Sequence, residues 1–145
     1  MTTYRHAQTG YAIIYALLVP AFIACAVDTV SPMTRVALIP AAILLLSALL
    51  FWKLTIEIDR EILRAFFGLG LVRKTARVAD IVSCEPIRIR WWYGWGIHLT
   101  PYGWLYNVSG WDAVAITLRN GRRFSLGTDD PQGLTDAIRR LASAK

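Results

Sequence analysis

YAIIYALLVPAFIACAV (residues 11–27) and VALIPAAILLLSALLFW (residues 36–52) hold no charged side chain, and the reading of these two runs decides the fold of the 145-residue chain. As helix, a run of about 17 residues spans about 25 Å, slightly short of a roughly 30 Å hydrocarbon core. Flanking residues make up the difference, since Trp52 and Lys53 put an amphipathic ring and an ammonium where a second helix would leave a bilayer. Pro20 and Pro40 read as kinks whose freed carbonyls find partners on the neighbouring helix. Ala21, Ala24 and Ala26 on the first run, with Ala41, Ala42, Ser47 and Ala48 on the second, let the two helices approach closely. The expectation is a transmembrane helical hairpin over residues 1–53. Two other readings compete. A cleaved signal peptide would explain Arg5 and Ala24-Cys25-Ala26, and a buried helix would explain either run taken singly. A second apolar run so soon after the first favours the hairpin.

Orientation follows the flanking cations. The polar connection at 28–35 carries Arg35 alone, whereas residues 53–145 carry 14 of the 16 Lys and Arg. Both termini are therefore expected on the cytoplasmic side. A basic domain beside an anionic leaflet is attracted to it, although solubilising charge explains the same surplus. Cys25 lies in the first apolar run and Cys84 in the domain, so no disulfide and no metal-ligand spacing is expected.

From residue 54 onward the period changes from helix to strand. Leu54, Ile56 and Ile58 alternate with Thr55, Glu57 and Asp59, the pattern of a half-buried strand. Residues 59–61 turn the chain into a strand at 62–67, Gly68-Leu69-Gly70 turns it again, and residues 71–78 make a third strand. Further extended stretches end at Ile87-Arg88-Ile89-Arg90, then run over 96–100, 104–109 and 113–118. Asn120-Gly121 is the strongest short hairpin signal, returning through residues 124–127. The last element is a helix, with Asp130 as N-cap, Pro131 in its first turn, and Leu134, Ala137, Ile138 and Leu141 on one face.

About seven antiparallel strands closed by one C-terminal helix is the element order of a pleckstrin-homology-like (PH-like) domain. Tyr93-Gly94-Trp95-Gly96-Ile97, the stretch from Gly103 to Gly110, Asn120-Gly121-Arg122 and Gly127-Thr128-Asp129-Asp130-Pro131 form a linked series. In this series the chain resembles short bacterial membrane proteins with an N-terminal two-helix anchor and a PH-like domain. The resemblance implies an α+β protein: a transmembrane hairpin over residues 1–53, then a bent antiparallel β-barrel over residues 54–145 with a capping helix. It also implies a multi-pass protein of the bacterial inner membrane, both termini cytoplasmic, without a settled activity. It does not carry over phosphoinositide recognition, because the turn Asp59-Arg60-Glu61 sets two acids around one base.

Five of the six tryptophans lie between Trp91 and Trp111. Trp91, Trp92 and Trp95, with Arg88 and Arg90 just upstream, suit contact with an acidic lipid surface, a protein interface, or plain packing. Arg73, Lys74 and Arg77 are the other basic group; on a strand Arg73 and Arg77 share a face and Lys74 points away. These eight residues are the candidates for lipid or partner contact. The acids before the last helix read as capping rather than as a metal or phosphate site. His98 and Cys84 show no spacing that brings them together, and no nucleophile, base or metal set is legible. No cofactor, no nucleic acid and no catalytic role are expected. The partners expected are membrane lipid, through two integral spans, and a protein or a second copy of the chain. The function expected is a non-enzymatic, membrane-anchored module that binds an anionic lipid surface or a protein partner. The alternative is a scaffolding subunit that self-associates.

Overall fold

Leu54, Ile56 and Ile58 form the inward face of a strand, and every other element is placed against it. A computed structural model describes residues 2–30 and 38–143. In chain order the elements are β1 (Thr2–Thr9), α1 (Tyr11–Val30), α2 (Leu38–Phe51), β2 (Lys53–Asp59), β3 (Ile62–Phe67), β4 (Arg73–Arg77), β5 (Ile81–Arg88), β6 (Gly96–Thr100), β7 (Gly103–Asn107), β8 (Asp112–Leu118), β9 (Arg123–Gly127) and α3 (Pro131–Ser143). Single 3-10 turns at Val78–Asp80 and Trp91–Tyr93 lead into β5 and towards β6.

The strands form two separate sheets. The first has the order β1-β2-β3-β4, antiparallel throughout; the second has the order β5-β8-β9-β7-β6. In the second, β7 lies parallel to β9, with Leu105 opposite Ser125 and Tyr106 opposite Leu126. The sheets share one core. Leu54, Ile56, Ile58, Leu63 and Phe67 meet Cys84, Val114, Ile116, Phe124 and Leu126 across it, and α3 closes it with Leu134 and Ile138. The Asp130 carboxylate accepts the Gly133 N–H at 3.0 Å, and Thr128 Oγ1 accepts the Asp130 N–H at 3.1 Å, which satisfies donors at the helix start.

Residues 2–9, which the sequence reading placed ahead of the apolar run as a flank, form a full strand paired with β2 from Thr2 opposite Asp59 to Thr9 opposite Lys53. The two helices are thus the connection between neighbouring antiparallel strands. Gly10 N–H donates to Trp52 O at 2.8 Å and closes the root of that connection. Above the root, α1 and α2 pack through alanine, with Ala21, Ala41 and Ala48 buried between them. The polar connection expected at 28–35 and the start of the second apolar run lie largely outside the described residues.

Two expectations are overturned. Among the described residues no helix is long and apolar enough to cross a membrane. The described α2 is 14 residues, about 21 Å at 1.5 Å per residue, against roughly 30 Å for a hydrocarbon core. The lower turns of α1 also belong to the β body, since Ile13 and Leu17 pack into its core and Phe51 sits edge-on to Phe67 at 5.1 Å. The two-span anchor, the integral contact with membrane lipid, the multi-pass inner-membrane location and the resemblance to two-helix anchored proteins fall with this. Counting uncharged residues overstated the helix that stands clear of the body. The PH-like barrel is overturned as well, because the architecture is α+β with two sheets and no closed barrel. The parallel β7–β9 pair puts β6 at the far edge of the second sheet, away from β5, which it follows in sequence.

Candidate interaction surface

The helix root gathers exposed apolar and cationic side chains. Trp52 ends the hairpin, and Lys53 Nζ stands 5.2 Å from the centre of its ring. Against the last turn of α2 lies the turn at 68–72. Gly68 N–H donates to Lys53 O at 2.7 Å, and a Cβ on Gly68 would stand only 2.5 Å from Leu50 O, at a φ of +42°. Glycine is required at that close approach. The same turn raises Leu69 and Leu71, the latter 75% exposed, beside Arg73 at the start of β4.

On the other side of the root, Gln8 Nε2 donates to Ser109 O at 3.1 Å and so joins β1 to the β7–β8 loop. That loop leads to Trp111, whose ring lies 5.8 Å from Trp95 and whose carbonyl accepts Ile89 N–H at 2.6 Å. The segment 89–95 follows. It holds Ile89 and Tyr93 against Leu105 and Ala113 on the outer face of the second sheet and turns Trp91 and Trp92 outward, Trp91 being 73% exposed. The Arg90 guanidinium lies over the Trp92 ring at 4.9 Å, and Trp91 meets Trp92 edge-on at 5.9 Å. Trp95 is half-buried against the core, and its indole N–H has no hydrogen-bond partner among the described residues.

The eight candidate residues therefore divide. Arg88, Arg90, Trp91 and Trp92 are exposed on one segment, and Trp95 is half-buried against Trp111. Arg73 is exposed beside the 68–72 turn. Lys74 points into the body, its ammonium 5.1 Å from the centre of the Phe124 ring. Arg77, at the other end of β4, pairs with Asp80 at 2.9 Å. Sequence reasoning set Trp52 and Lys53 at a helix exit but not among the contact candidates, and it missed Leu69 and Leu71 as members of this surface. The available signal was the pair of leucines in the turn Gly68-Leu69-Gly70-Leu71, where a β-turn normally carries polar residues. It also missed Arg64, exposed on the outer face of the first sheet opposite Thr75 and diagonal to Arg73 and Arg77.

Chemistry elsewhere has structural partners. His98 Nε2 lies 2.6 Å from Trp95 O, whereas Cys84 is buried with its Sγ towards Thr135 O. Burial pushes the Cys84 thiol up, with Arg139 opposing, so the thiolate that nucleophilic chemistry needs is disfavoured. Burial likewise raises the Tyr106 phenol. His6 pairs with Asp129, and the Tyr4 hydroxyl donates to Asp130 at 3.1 Å; both contacts tie β1 to the start of α3. Among the described residues no group of three or more His, Cys, Asp or Glu is placed to hold a metal ion. No family model matches the chain, and no curated protein matches it.

Proposed function

We propose that the chain is a non-enzymatic binding module that seats the root of its helical hairpin on an anionic lipid surface without spanning it. One observation carries the reading: Trp52, Leu69 and Leu71 are exposed at the base of the apolar hairpin and on the turn against it, and Trp91 and Trp92 are exposed on the segment that Trp111 links towards β1, with Lys53, Arg73, Arg88 and Arg90 in the same stretches. Indole rings favour the headgroup region, and each Lys or Arg near an anionic surface contributes about 1 kcal/mol. The hairpin's exposed apolar side chains then meet the boundary of headgroups and acyl chains. A surface apolar patch of this extent on a lone chain calls for a covering partner.

The test is co-sedimentation of the full chain with phosphatidylcholine vesicles made with and without phosphatidylglycerol, between about 0.05 and about 0.5 M salt. Binding should require the anionic lipid, fall as salt rises, and weaken in Trp91→Ala with Trp92→Ala. Equal recovery on neutral vesicles, or binding indifferent to salt, removes the reading. The second reading, self-association, is favoured by the contiguous apolar exterior of the hairpin, where Phe22, Ile23, Ile39, Ile43 and Leu46 are all exposed. A discrete oligomer that persists or strengthens at high salt would select it.

A further inference from the structure

The outer face of the second sheet carries a cleft that shares Arg88 and Arg90 with the surface at the root but has its own interior. It measures about 250 Å³ and lies between the segment 87–93 and the β6–β7 turn. Its floor is Leu105 and Ser125, neighbours in the parallel pairing and both buried. Ile87, Ile89 and Tyr93 line one side, and Thr100, Pro101 and Tyr102 the other. Two hydroxyls inside are engaged: Ser125 Oγ donates to Tyr102 O at 3.4 Å, and Thr100 Oγ1 donates to Gly103 O at 2.8 Å while accepting Tyr102 N–H. The lining is mixed, with Ile87, Ile89, Pro101 and Leu105 offering apolar contact and the guanidinium and phenol groups polar contact.

The charge at the border is different. Arg88 and Arg90 line the same cleft, both are exposed, and neither has a carboxylate partner among the described residues. Arg90 is further held by the Trp92 ring, so a guanidinium stands ready at the mouth with part of its freedom already spent. A slot with apolar contact from Ile87, Ile89, Pro101 and Leu105, bordered by two guanidinium groups without a carboxylate partner among the described residues, selects an amphiphilic anion. Phosphate suits the pair better than carboxylate, because its additional oxygen lets both cations donate at once. An apolar cavity of roughly 150 Å³ holds benzene. The larger volume here takes a ring or short acyl chain with its ester oxygen, leaving the phosphoryl group at the mouth.

We propose that this cleft is a binding site for a phosphate ester with a compact apolar body, whether free or as the headgroup end of a lipid. The proposal does not depend on the docking reading. The probe is phenyl phosphate, titrated into the full chain in nonionic detergent and followed by amide chemical shifts, with phenol and inorganic phosphate as the two half-ligands. Saturable shifts should centre on Leu105, Ser125 and Tyr93, and each half-ligand should bind at least about tenfold more weakly. Arg88→Gln with Arg90→Gln should weaken phenyl phosphate about tenfold while leaving the amide shifts of β2 in place, which shows the variant folded. Adding phenyl phosphate to chain already bound to phosphatidylglycerol vesicles separates the sources: release marks the lipid headgroup as the occupant, and retention marks a free ester. Failure to bind vesicles would sink the lipid-surface reading and leave the titration standing. The cleft is overturned if the double variant binds as the native chain does, or if the shifts centre on Arg64 and Arg73 of the first sheet instead.

Discussion

Phe67 and Phe22 place the same side chain in two regions that treat it in opposite ways. Phe67 is 2% exposed in the β body, between Phe51 and Tyr106, whereas Phe22 is 76% exposed on the outside of the hairpin. The body buries apolar side chains on both sides of its second sheet, one face in the shared core and the other under Ile89 and Tyr93, so its apolar residues find partners within the chain. The hairpin has only an alanine seam inside and presents its large side chains outward. Its apolar surface contributes nothing to folding until something covers it, which is why the two regions answer differently to truncation. Phe67→Ala should cost about 3–5 kcal/mol in denaturant unfolding of the full chain, and Phe22→Ala less than about 0.5 kcal/mol. Similar losses at both positions would mean that the hairpin exterior is packed in the isolated chain, and the contrast would be gone.

The joint between the regions is the next place to press. At Gly68 a Cβ would run into Leu50 O of α2, while at Gly121 of the β8–β9 hairpin, with a φ of +79°, nothing stands within 4 Å. Both substitutions by alanine carry the backbone strain of a positive φ, about 1 kcal/mol, and only Gly68→Ala adds the collision. It should cost about 2 kcal/mol or more in thermal or denaturant unfolding. Equal effects would show that the hairpin base is not pressed on the body. Within the hairpin the seam gives a smaller effect. Ala41→Leu forces a branched side chain between the helices and should cost about 1–3 kcal/mol, whereas Ala42→Leu, on the exposed side, should be near neutral; proteolysis rates in the hairpin would report the difference.

What the sequence made legible divides along the same line. Period-two alternation located β2, the pair Asn120-Gly121 located the β8–β9 connection, and Asp130-Pro131 located the start of α3, because each is a local signal with a local cause. Of the small residues expected between the helices, Ala21, Ala41 and Ala48 are buried there, whereas Ala26 and Ala42 are exposed. Pairing was not local and was missed. Thr2-Thr3-Tyr4-Arg5-His6-Ala7-Gln8-Thr9 has too few apolar residues to declare a strand; it becomes one because β2 offers an open edge on its return from the hairpin. The parallel alignment of β7 on β9, which keeps the sheets apart and rules out a barrel, rests on a close backbone approach where a Cβ on Gly103 would fall 2.0 Å from Arg123 O. Period analysis cannot see that approach. At the site, the tryptophans and Arg88 and Arg90 were visible as composition and strand period already turned Lys74 away, but Arg77 could be separated only by geometry, and Leu69 and Leu71 were hidden inside an ordinary turn.

The smallest effect concerns the strand that leads into the hairpin. Tyr4 is held by burial first, then by its hydrogen bond to Asp130 and by the negative charge of Asp130 and Asp129, all of which raise its phenol above the usual value. The native state therefore keeps this proton more tightly than the unfolded chain does. Stability from Tyr4 is complete below about pH 10, the unfolded value, and is lost as pH rises towards the native one. Tyr4→Phe should remove about 1 kcal/mol at neutral pH by deleting the hydrogen bond and should flatten the alkaline loss in a pH series of unfolding curves. Tyr106→Phe is the contrast. Burial alone raises Tyr106, so that variant should reduce the alkaline loss with little change at neutral pH. If Tyr4→Phe left the alkaline limb untouched, the Tyr4 contact with Asp130 would not hold in solution. The strand that carries the chain into α1 would then be secured by its pairing with β2, the His6 pair with Asp129 and the Gln8 hydrogen bond to Ser109 O.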